Sequence, residues 1–193
     1  DFPKSTQNTM VSINGSEKVT LTNVKFNDNV NGYNGFEIGL SSDALPKYVN
    51  IKDCDFGGKL TNNAILIFGT QDNAVINIEN CHFGRISNAL RISNKTNATN
   101  VTINVKNCSV DEWDTRKEWE GFMICEDYTS GTVALEQSNN LFASSKITVN
   151  FTNLTHKGEK ITADYEGQLC YVWYDNGNKK ETEKNRIPTI NFL

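Results

Sequence analysis

The chain is poor in the residues that build helices, with 8 alanines and 11 leucines among 193 residues. Helical bundles and coiled coils depend on such helix formers, so the composition argues against both. It also lacks an apolar run near the roughly 18 residues that a membrane-spanning helix needs. Basic residues do not cluster, and 19 Lys+Arg against 23 Asp+Glu give a net charge of −4. This mild acidity argues against nucleic acid as a partner, and we expect no membrane partner either.

Side chains that bind metals or form disulfides are few and poorly spaced for either purpose. The five cysteines are an odd number, which argues against a fully paired disulfide framework, and none forms a C-x-x-C motif. The histidines are His82 and His156. We therefore expect no metal site and no cofactor. Because the chain begins at Asp1 rather than Met, we expect a processed product or part of something longer.

Asparagine is what the chain has in excess. Its 27 asparagines outnumber alanine and leucine together, and threonine adds 18 more polar residues. Residues that favour strands are also frequent, with 15 isoleucines, 12 valines and 19 aromatic residues. This apolar content suffices for a core and argues against disorder. We expect a single all-β domain.

Five segments repeat one pattern of apolar, polar, apolar, polar, Asn/Asp, apolar, polar, apolar. They are residues 19–26, 49–56, 76–83, 103–110 and 149–156. Alternation is the period of a half-buried strand, and the phase slips by one residue at Asn/Asp. Such a slip keeps both apolar sets inside only if the chain turns a corner, and Asn and Asp tolerate the left-handed backbone that a corner needs. The predicted bend residues are Asn23, Asp53, Asn80, Asn107 and Asn153.

The bends are 30, 27, 27 and 46 residues apart, and a second apolar strand is predicted after each of the first four. One such unit cannot bury its apolar face alone, whereas stacked units share a continuous core. Lys52, Glu79 and Lys106 are predicted to form an exposed ladder of opposite charges. The cysteines of the repeat are predicted as small buried residues. The predicted core columns are Cys54, Cys81 and Cys108, and Phe26, Phe56 and Phe83.

Over about residues 10–165 this pattern, with its Asn bends and inward Cys and Phe columns, resembles the pectate-lyase-like superfamily of right-handed parallel β-helices. The resemblance implies an all-β, right-handed parallel β-helix (solenoid) of about 5–7 rungs over residues 1–165. The 46-residue spacing predicts either one rung with an insertion at about 111–146 or two rungs of which one is degenerate. For residues 166–193 we predict a C-terminal cap or hairpin, because an open end of the stack must be covered.

Short, Asn/Thr/Gly-rich members with stacked cysteines look most like phage structural proteins. The resemblance therefore implies a structural, non-enzymatic component of a phage virion, such as a capsid decoration, head fibre or tail/baseplate element at the virion surface. It would act through protein–protein contacts with other virion subunits, as a homo-oligomer such as a trimer. The alternatives are a carbohydrate-binding adhesin, extracellular or at the cell surface, and a polysaccharide lyase or hydrolase of the same superfamily.

Two aromatic segments are the predicted interface candidates. Residues 111–120 place two of the three tryptophans in a charged setting, where they either pack on the stack or contact a partner. Residues 169–174 form an aromatic strand before a strong turn signal at 175–178, and either cap the stack or dock a neighbouring subunit. The residues concerned are Trp113, Arg116, Trp119, Tyr171, Trp173 and Tyr174.

We predict no catalytic residues. A carbohydrate-active site would need converging acids beside a basic residue, for which Glu37, Arg91 and Glu126 are the available set. Glycosylation is left open by seven N-x-S/T sequences, of which Asn94, Asn97 and Asn100 form a cluster.

Overall fold

A computed structural model describes residues 9–26, 34–39, 44–57, 60–93, 98–113, 121–127, 147–165, 169–174 and 189–193. Within these ranges the chain forms strands and no helix, which confirms the all-β prediction there. Accordingly, the part of the chain that the structure describes contains no helix that could span a membrane.

Sixteen strands are described. In chain order they are β1 (Val11–Ile13), β2 (Lys18–Thr22), β3 (Asn34–Ile38), β4 (Tyr48–Lys52), β5 (Asp55–Phe56), β6 (Leu60–Ile67), β7 (Val75–Glu79), β8 (His82–Ser93), β9 (Val101–Lys106), β10 (Ser109–Trp113), β11 (Gly121–Asp127), β12 (Ile147–Thr152), β13 (Thr155–His156), β14 (Glu159–Lys160), β15 (Cys170–Tyr174) and β16 (Thr189–Phe192).

The strands belong to two sheets. The six-stranded sheet has the order β2-β4-β7-β9-β12-β16, and every pair in it is parallel. The ten-stranded sheet runs β1-β3-β6-β8 and then divides along the length of β8. The first half of β8 pairs with β5 and β10, and β10 leads to β13 and β14; the second half pairs with β11, which leads to β15. Only β13 and β14 pair in the antiparallel sense among these strands.

The pairing register of the six-stranded sheet equals the spacing of the sequence repeat. Val49 pairs with Ile76, and Ile76 pairs with Ile103. Ile103 then pairs directly with Val149, so β9 and β12 are neighbours and the 46-residue spacing contains no further strand of this sheet. The choice between an insertion and a degenerate rung stays a prediction. Of the predicted insertion, residues 111–113 and 121–127 belong to β10 and β11, and the remainder lies outside the described residues.

The core lies where the inward faces of the two sheets meet. Phe56 stacks between Phe26 and Phe83, with ring centroids 5.2 and 5.0 Å away. Phe122 of the ten-stranded sheet packs against Phe83 and against Phe151 of the six-stranded sheet. All five rings are at most 2% exposed. Burying an aromatic side chain of this kind contributes roughly 1.5–3 kcal/mol, so these rings dominate the packing.

The C-terminal segment departs from the predicted hairpin. Strand β15 pairs in parallel with β11, and β16 pairs in parallel with β12. Residues 189–192 repeat the first half of the pattern, with Ile190 and Phe192 in the apolar positions, and this favours pairing with β12. That the segment covers an end of the stack stays a prediction.

An antiparallel hairpin does occur, but earlier in the chain. Thr155 pairs with Lys160 and His156 with Glu159. The two central residues, Lys157 and Gly158, have φ of 52° and 81°, as a two-residue turn between antiparallel strands requires. The strong turn signal at residues 175–178, on which the hairpin prediction rested, lies outside the described residues.

Candidate functional site

The bend residues form a column along one edge of the six-stranded sheet. Asn23, Asp53, Asn80, Asn107 and Asn153 have φ between 52° and 57°, the left-handed conformation. Their side chains also bond to one another across neighbouring strands. Asn80 Nδ2 donates to Asp53 Oδ1 at 2.9 Å, Asn107 to Asn80 at 3.3 Å, and Asn153 to Asn107 at 3.2 Å.

The cysteines of the repeat lie directly behind these bends. Cys54, Cys81 and Cys108 are free thiols that are at most 2% exposed. Each Sγ donates to the carbonyl two residues earlier, at 3.3, 3.3 and 3.4 Å. The neighbouring Cys108 thiol, together with burial, raises the pKa of Cys81 to about 12. A buried thiol with so high a pKa is a poor nucleophile, so Cys81 acts as a packing group. The hydrogen bond with the Cys81 thiol lowers the pKa of Cys108, but Cys54 and Cys108 are as deeply buried as Cys81 and pack in the same column.

A second asparagine column crosses the outer face of the six-stranded sheet, and the sequence analysis did not identify it. Each Nδ2 donates to the Oδ1 of the preceding strand: Asn77 to Asn50 at 2.8 Å, Asn104 to Asn77 at 2.9 Å, Asn150 to Asn104 at 2.8 Å, and Asn191 to Asn150 at 2.8 Å. All four bonds point in the same direction. The signal was present in the repeat, because Asn occupies the polar position between the first two apolar residues in four strands of this sheet and in β16.

A charged column runs beside the outer asparagine column. Glu79 lies between Lys52 and Lys106, at 3.7 and 3.4 Å from their Nζ atoms. The two columns border a shallow depression of about 210 Å³, whose floor is the backbone around Ile51 and Ile78. All three charged side chains are at least one-third exposed, so solvent screens their attraction and each pair contributes little to stability.

His82 joins two carboxylates across neighbouring strands. Its Nδ1 lies 2.8 Å from Asp55 Oδ1, and its Nε2 lies 2.9 Å from Asp111 Oδ2. Lys25 approaches the other oxygen of Asp55 at 3.3 Å. Ionised carboxylates only accept hydrogen bonds, so this geometry favours the imidazolium form of His82, in which both ring nitrogens donate.

The pKa values in this group follow from those contacts. Partial burial lowers the pKa of His82, but the hydrogen bonds and charges of Asp55 and Asp111 outweigh it, and the net shift is upward. For Asp55, partial burial acts to raise the pKa, but the contacts with His82 and Lys25 outweigh it and lower the pKa. These hydrogen bonds and ion pairs form a network that links β5, β8 and β10.

A third set of asparagines is buried in the ten-stranded sheet, at the start of β3 and within β6 and β8. Asn34, Asn63 and Asn88 are at most 1% exposed. Asn63 Nδ2 donates to Asn34 Oδ1 at 2.9 Å, and Asn34 Nδ2 donates to Glu37 Oε1 at 2.9 Å. Asn88 Nδ2 donates instead to the carbonyl of Gly121 at 3.3 Å. These amides donate to backbone and side-chain groups inside the ten-stranded sheet, and the bond from Asn34 leaves Glu37 engaged in a structural role.

The acids and the arginine considered for carbohydrate chemistry do not converge. Glu37 and Arg91 face the same side of the ten-stranded sheet, but Leu66 occupies the position between them, so their backbones are two strands, about 10 Å, apart. Glu126 is in register with Ser93, two positions further along the strand than Arg91, and its side chain lies outside the described residues.

The side chains of the predicted interface residues lie outside the part of the chain that the structure describes. Trp113 ends β10, and Tyr171, Trp173 and Tyr174 belong to β15, but their side chains lie outside the described set. Arg116 and Trp119 lie outside the described residues altogether, as do Asn94 and Asn97 of the sequon cluster. Asn100 is described, with φ of 56° and its Nδ2 3.3 Å from Asn73 Oδ1.

No group of three or more metal-ligating side chains occurs in the described ranges. In comparisons with known proteins, no family, no curated sequence and no solved structure matches the chain.

Proposed function

We propose that the chain is a right-handed parallel β-helix that serves as a structural, non-enzymatic subunit of a larger assembly. The observation that carries this proposal is the order in which the chain visits the two sheets. Outside the short corner strands it alternates strictly between them, from β1 to β2, β3, β4, β6, β7, β8, β9, β11, β12, β15 and β16. A chain that alternates between two sheets while every main pair stays parallel advances as a coil.

The right-handed sense is proposed because parallel strands joined by a crossover are almost always connected in that sense. Each sheet then supplies one strand to every level of the coil. The main strands number six in each sheet, which gives about six levels and a length of about 29 Å at 4.8 Å per strand.

A structural role is supported by what the polar groups do. Glu79 bridges two lysines and His82 bridges two carboxylates, while the outer amides hydrogen-bond to one another across the strands. Groups that could act on a substrate are thus engaged in holding neighbouring strands together. We propose that this rigid scaffold acts through protein–protein contacts, as an oligomeric surface component of a phage virion, in line with the family that the repeat resembles.

The proposed virion role is tested by asking whether purified particles contain this chain. Mass spectrometry of purified phage particles from the source is expected to find this chain in many copies per particle, and antibody against it is expected to label the particle surface. Absence of the chain from intact particles, with free chain in the medium, would contradict the proposal.

One observation favours carbohydrate binding as a second candidate. The depression beside the outer asparagine column is lined by amides and charged groups, and Tyr48, in the strand of Asn50, is 43% exposed. Amides bind hydroxyl groups, and an exposed ring offers a surface on which a sugar can pack. Binding to a glycan array that is lost in Asn77→Leu and kept in Asn14→Leu, at an exposed position away from the depression, would favour this candidate.

A further inference from the structure

Among the described residues, the end strands of the proposed coil leave one edge unpaired at each end, and the two edges are complementary. Strand β16 is the last strand of the six-stranded sheet and β15 the last of the main strands of the other sheet. At the opposite end the outermost strands are β2 and β1. At the C-terminal end β16 follows β15 in the chain, so the six-stranded sheet extends furthest there. At the N-terminal end β1 precedes β2, so the ten-stranded sheet extends furthest there.

We propose that a second copy of the chain docks head-to-tail, with its β2 pairing in parallel with β16 and its β1 pairing with β15. This inference rests on the proposed coil. After β16 the next strand of the coil belongs to the ten-stranded sheet, and β1 of the second copy is such a strand. At the corner, β14 already lies beyond β13 in the place of a sixth short strand. Repeated addition produces an open filament, because a head-to-tail contact does not close on itself.

The apolar columns of the core have no further strand beyond β16 in the described part of the chain. Val149 and Phe151 of β12 are 0% and 2% exposed, whereas their partners Ile190 and Phe192 are only half-buried. At the other end Leu21 of β2 is also half-buried. In the proposed contact Val19 of the second copy lies beside Ile190, and Leu21 lies beside Phe192, so both columns continue through the junction.

The outward backbone groups of β16 and β2 are complementary in this register. Leu193 N–H donates to Phe151 C=O, and successive N–H groups of a strand point to opposite edges, so those of Ile190 and Phe192 point away from β12. On β2, Asn23 N–H donates to Lys52 C=O, so the N–H of Thr20 points away from β4. A residue of a parallel strand bonds to the two neighbours of its opposite residue. When Ile190 lies opposite Val19, its backbone therefore bonds to Lys18 and Thr20, because the backbone N–H and C=O groups of those two residues point toward Ile190.

The outer asparagine column has a direction that favours this arrangement over a symmetric one. Asn191 donates its Nδ2 to Asn150, and its Oδ1 accepts no bond within the described residues. The column therefore ends in an acceptor at β16. A docked β2 places the Thr20 hydroxyl, which is a donor, beside that oxygen. Two β16 strands meeting head-to-head would instead bring two acceptors together.

The test uses two variants that each block one end. Thr20→Pro removes an N–H that points away from β4, so it spares the pairing of β2 with β4 while blocking docking. Thr20→Ser keeps both the N–H and the hydroxyl and is the matched control. Ile190→Lys places a charge at the uncovered core end and blocks the opposite side of the junction. Circular dichroism and thermal melting check that each variant is folded.

By sedimentation velocity and electron microscopy, the wild-type chain and Thr20→Ser are expected to form filaments as concentration rises, with an axial repeat of about 29 Å from six strands. Thr20→Pro and Ile190→Lys are each expected to stay monomeric. Mixed together they are expected to form a 1:1 dimer, because Thr20→Pro keeps an intact β16 and Ile190→Lys keeps an intact β2. If one variant fails to fold, the other, mixed at low ratio with wild type, is expected to shorten the filaments.

Three results would overturn the inference. One is a wild-type chain that stays monomeric at high concentration, as it would if its own residues 1–8 or 175–188 covered an end. Another is Thr20→Pro that associates like wild type, which a symmetric β16 contact predicts. The third is a mixture of the two blocked variants that does not dimerise. A chain that is present in particles but never self-associates refutes this inference alone, and a chain that self-associates but is absent from particles refutes the proposed virion role alone.

Discussion

At the scale of the residue, asparagine has three distinct structural roles in this chain. At the bends it adopts the left-handed backbone, on the outer face its amide bonds along the column, and within the ten-stranded sheet it donates to polar groups inside the protein. A single amide–amide hydrogen bond contributes only about 0.5–1.5 kcal/mol to stability. The asparagine excess therefore matters through repetition, since each role recurs on successive strands.

The bend role predicts an unusual ranking of substitutions at Asn80. Asn80→Ala is expected to destabilise the protein by about 1–2 kcal/mol, because alanine at φ of 53° incurs the left-handed penalty. Asn80→Gly is expected to be milder, since glycine adopts this conformation without strain and loses only the two side-chain hydrogen bonds that the alanine variant also loses, with Asp53 and with Asn107. Urea denaturation of the two variants compares them. A glycine variant less stable than the alanine variant would contradict the bend assignment.

His82 predicts a dependence of stability on pH. Its pKa is raised in the folded protein, so the stabilisation is fully present below the unfolded pKa of about 6.5 and is lost as pH rises through the folded value. The difference in urea midpoint between wild type and His82→Gln is therefore expected to be larger at pH 6 than at pH 8.5. An NMR titration of the His82 ring is expected to give a pKa above 6.5. A value at or below 6.5 would show that the two carboxylates do not hold the imidazolium.

At the scale of the element, the strands of the six-stranded sheet from β2 to β12 separate an apolar inner face from a polar outer one. The bends and inward columns could be predicted from sequence because their pattern is local and repeats at one spacing. The pairing of β15 and β16 could not, because parallel pairing joins residues dozens of positions apart and the strong turn signal at 175–178 favoured a local hairpin. The outer asparagine column was readable in the repeat, but polar alternate positions occur in any half-exposed strand, and only the register shows that these amides touch.

The inner and outer faces predict opposite sensitivities for two nearby residues. Phe56→Ala is expected to cost about 3–5 kcal/mol, because it leaves a cavity between two stacked rings. Lys52→Ala is expected to change stability by less than about 1 kcal/mol, because its contact with Glu79 is exposed. Guanidinium denaturation measures both. Comparable losses in the two variants would mean that the inside and outside of this part of the sheet have been misassigned.

At the scale of the whole molecule, the chain alternates between two sheets, and every main pair of strands is parallel. Such an architecture derives its stability from contacts between successive levels, so the ends are its weak points. The sequence could not show which end strands remain open, because that depends on pairs that are missing rather than on pairs that form. The proposed head-to-tail contact rests on these end strands.

The most direct test of the coil is the distance between residues of one column that are far apart in sequence. Thr22 and Thr152 lie in the same outward column, with the positions of Lys52, Glu79 and Lys106 between them. Spin labels on Thr22→Cys and Thr152→Cys, in a background where the buried cysteines stay unlabelled and the labelled chain is diluted with unlabelled chain, report that distance by pulsed electron resonance. Four strand spacings predict a single narrow peak near about 19 Å between the backbones. A broad distribution, or a peak well beyond that distance after allowing for the label arms, would contradict the parallel stack.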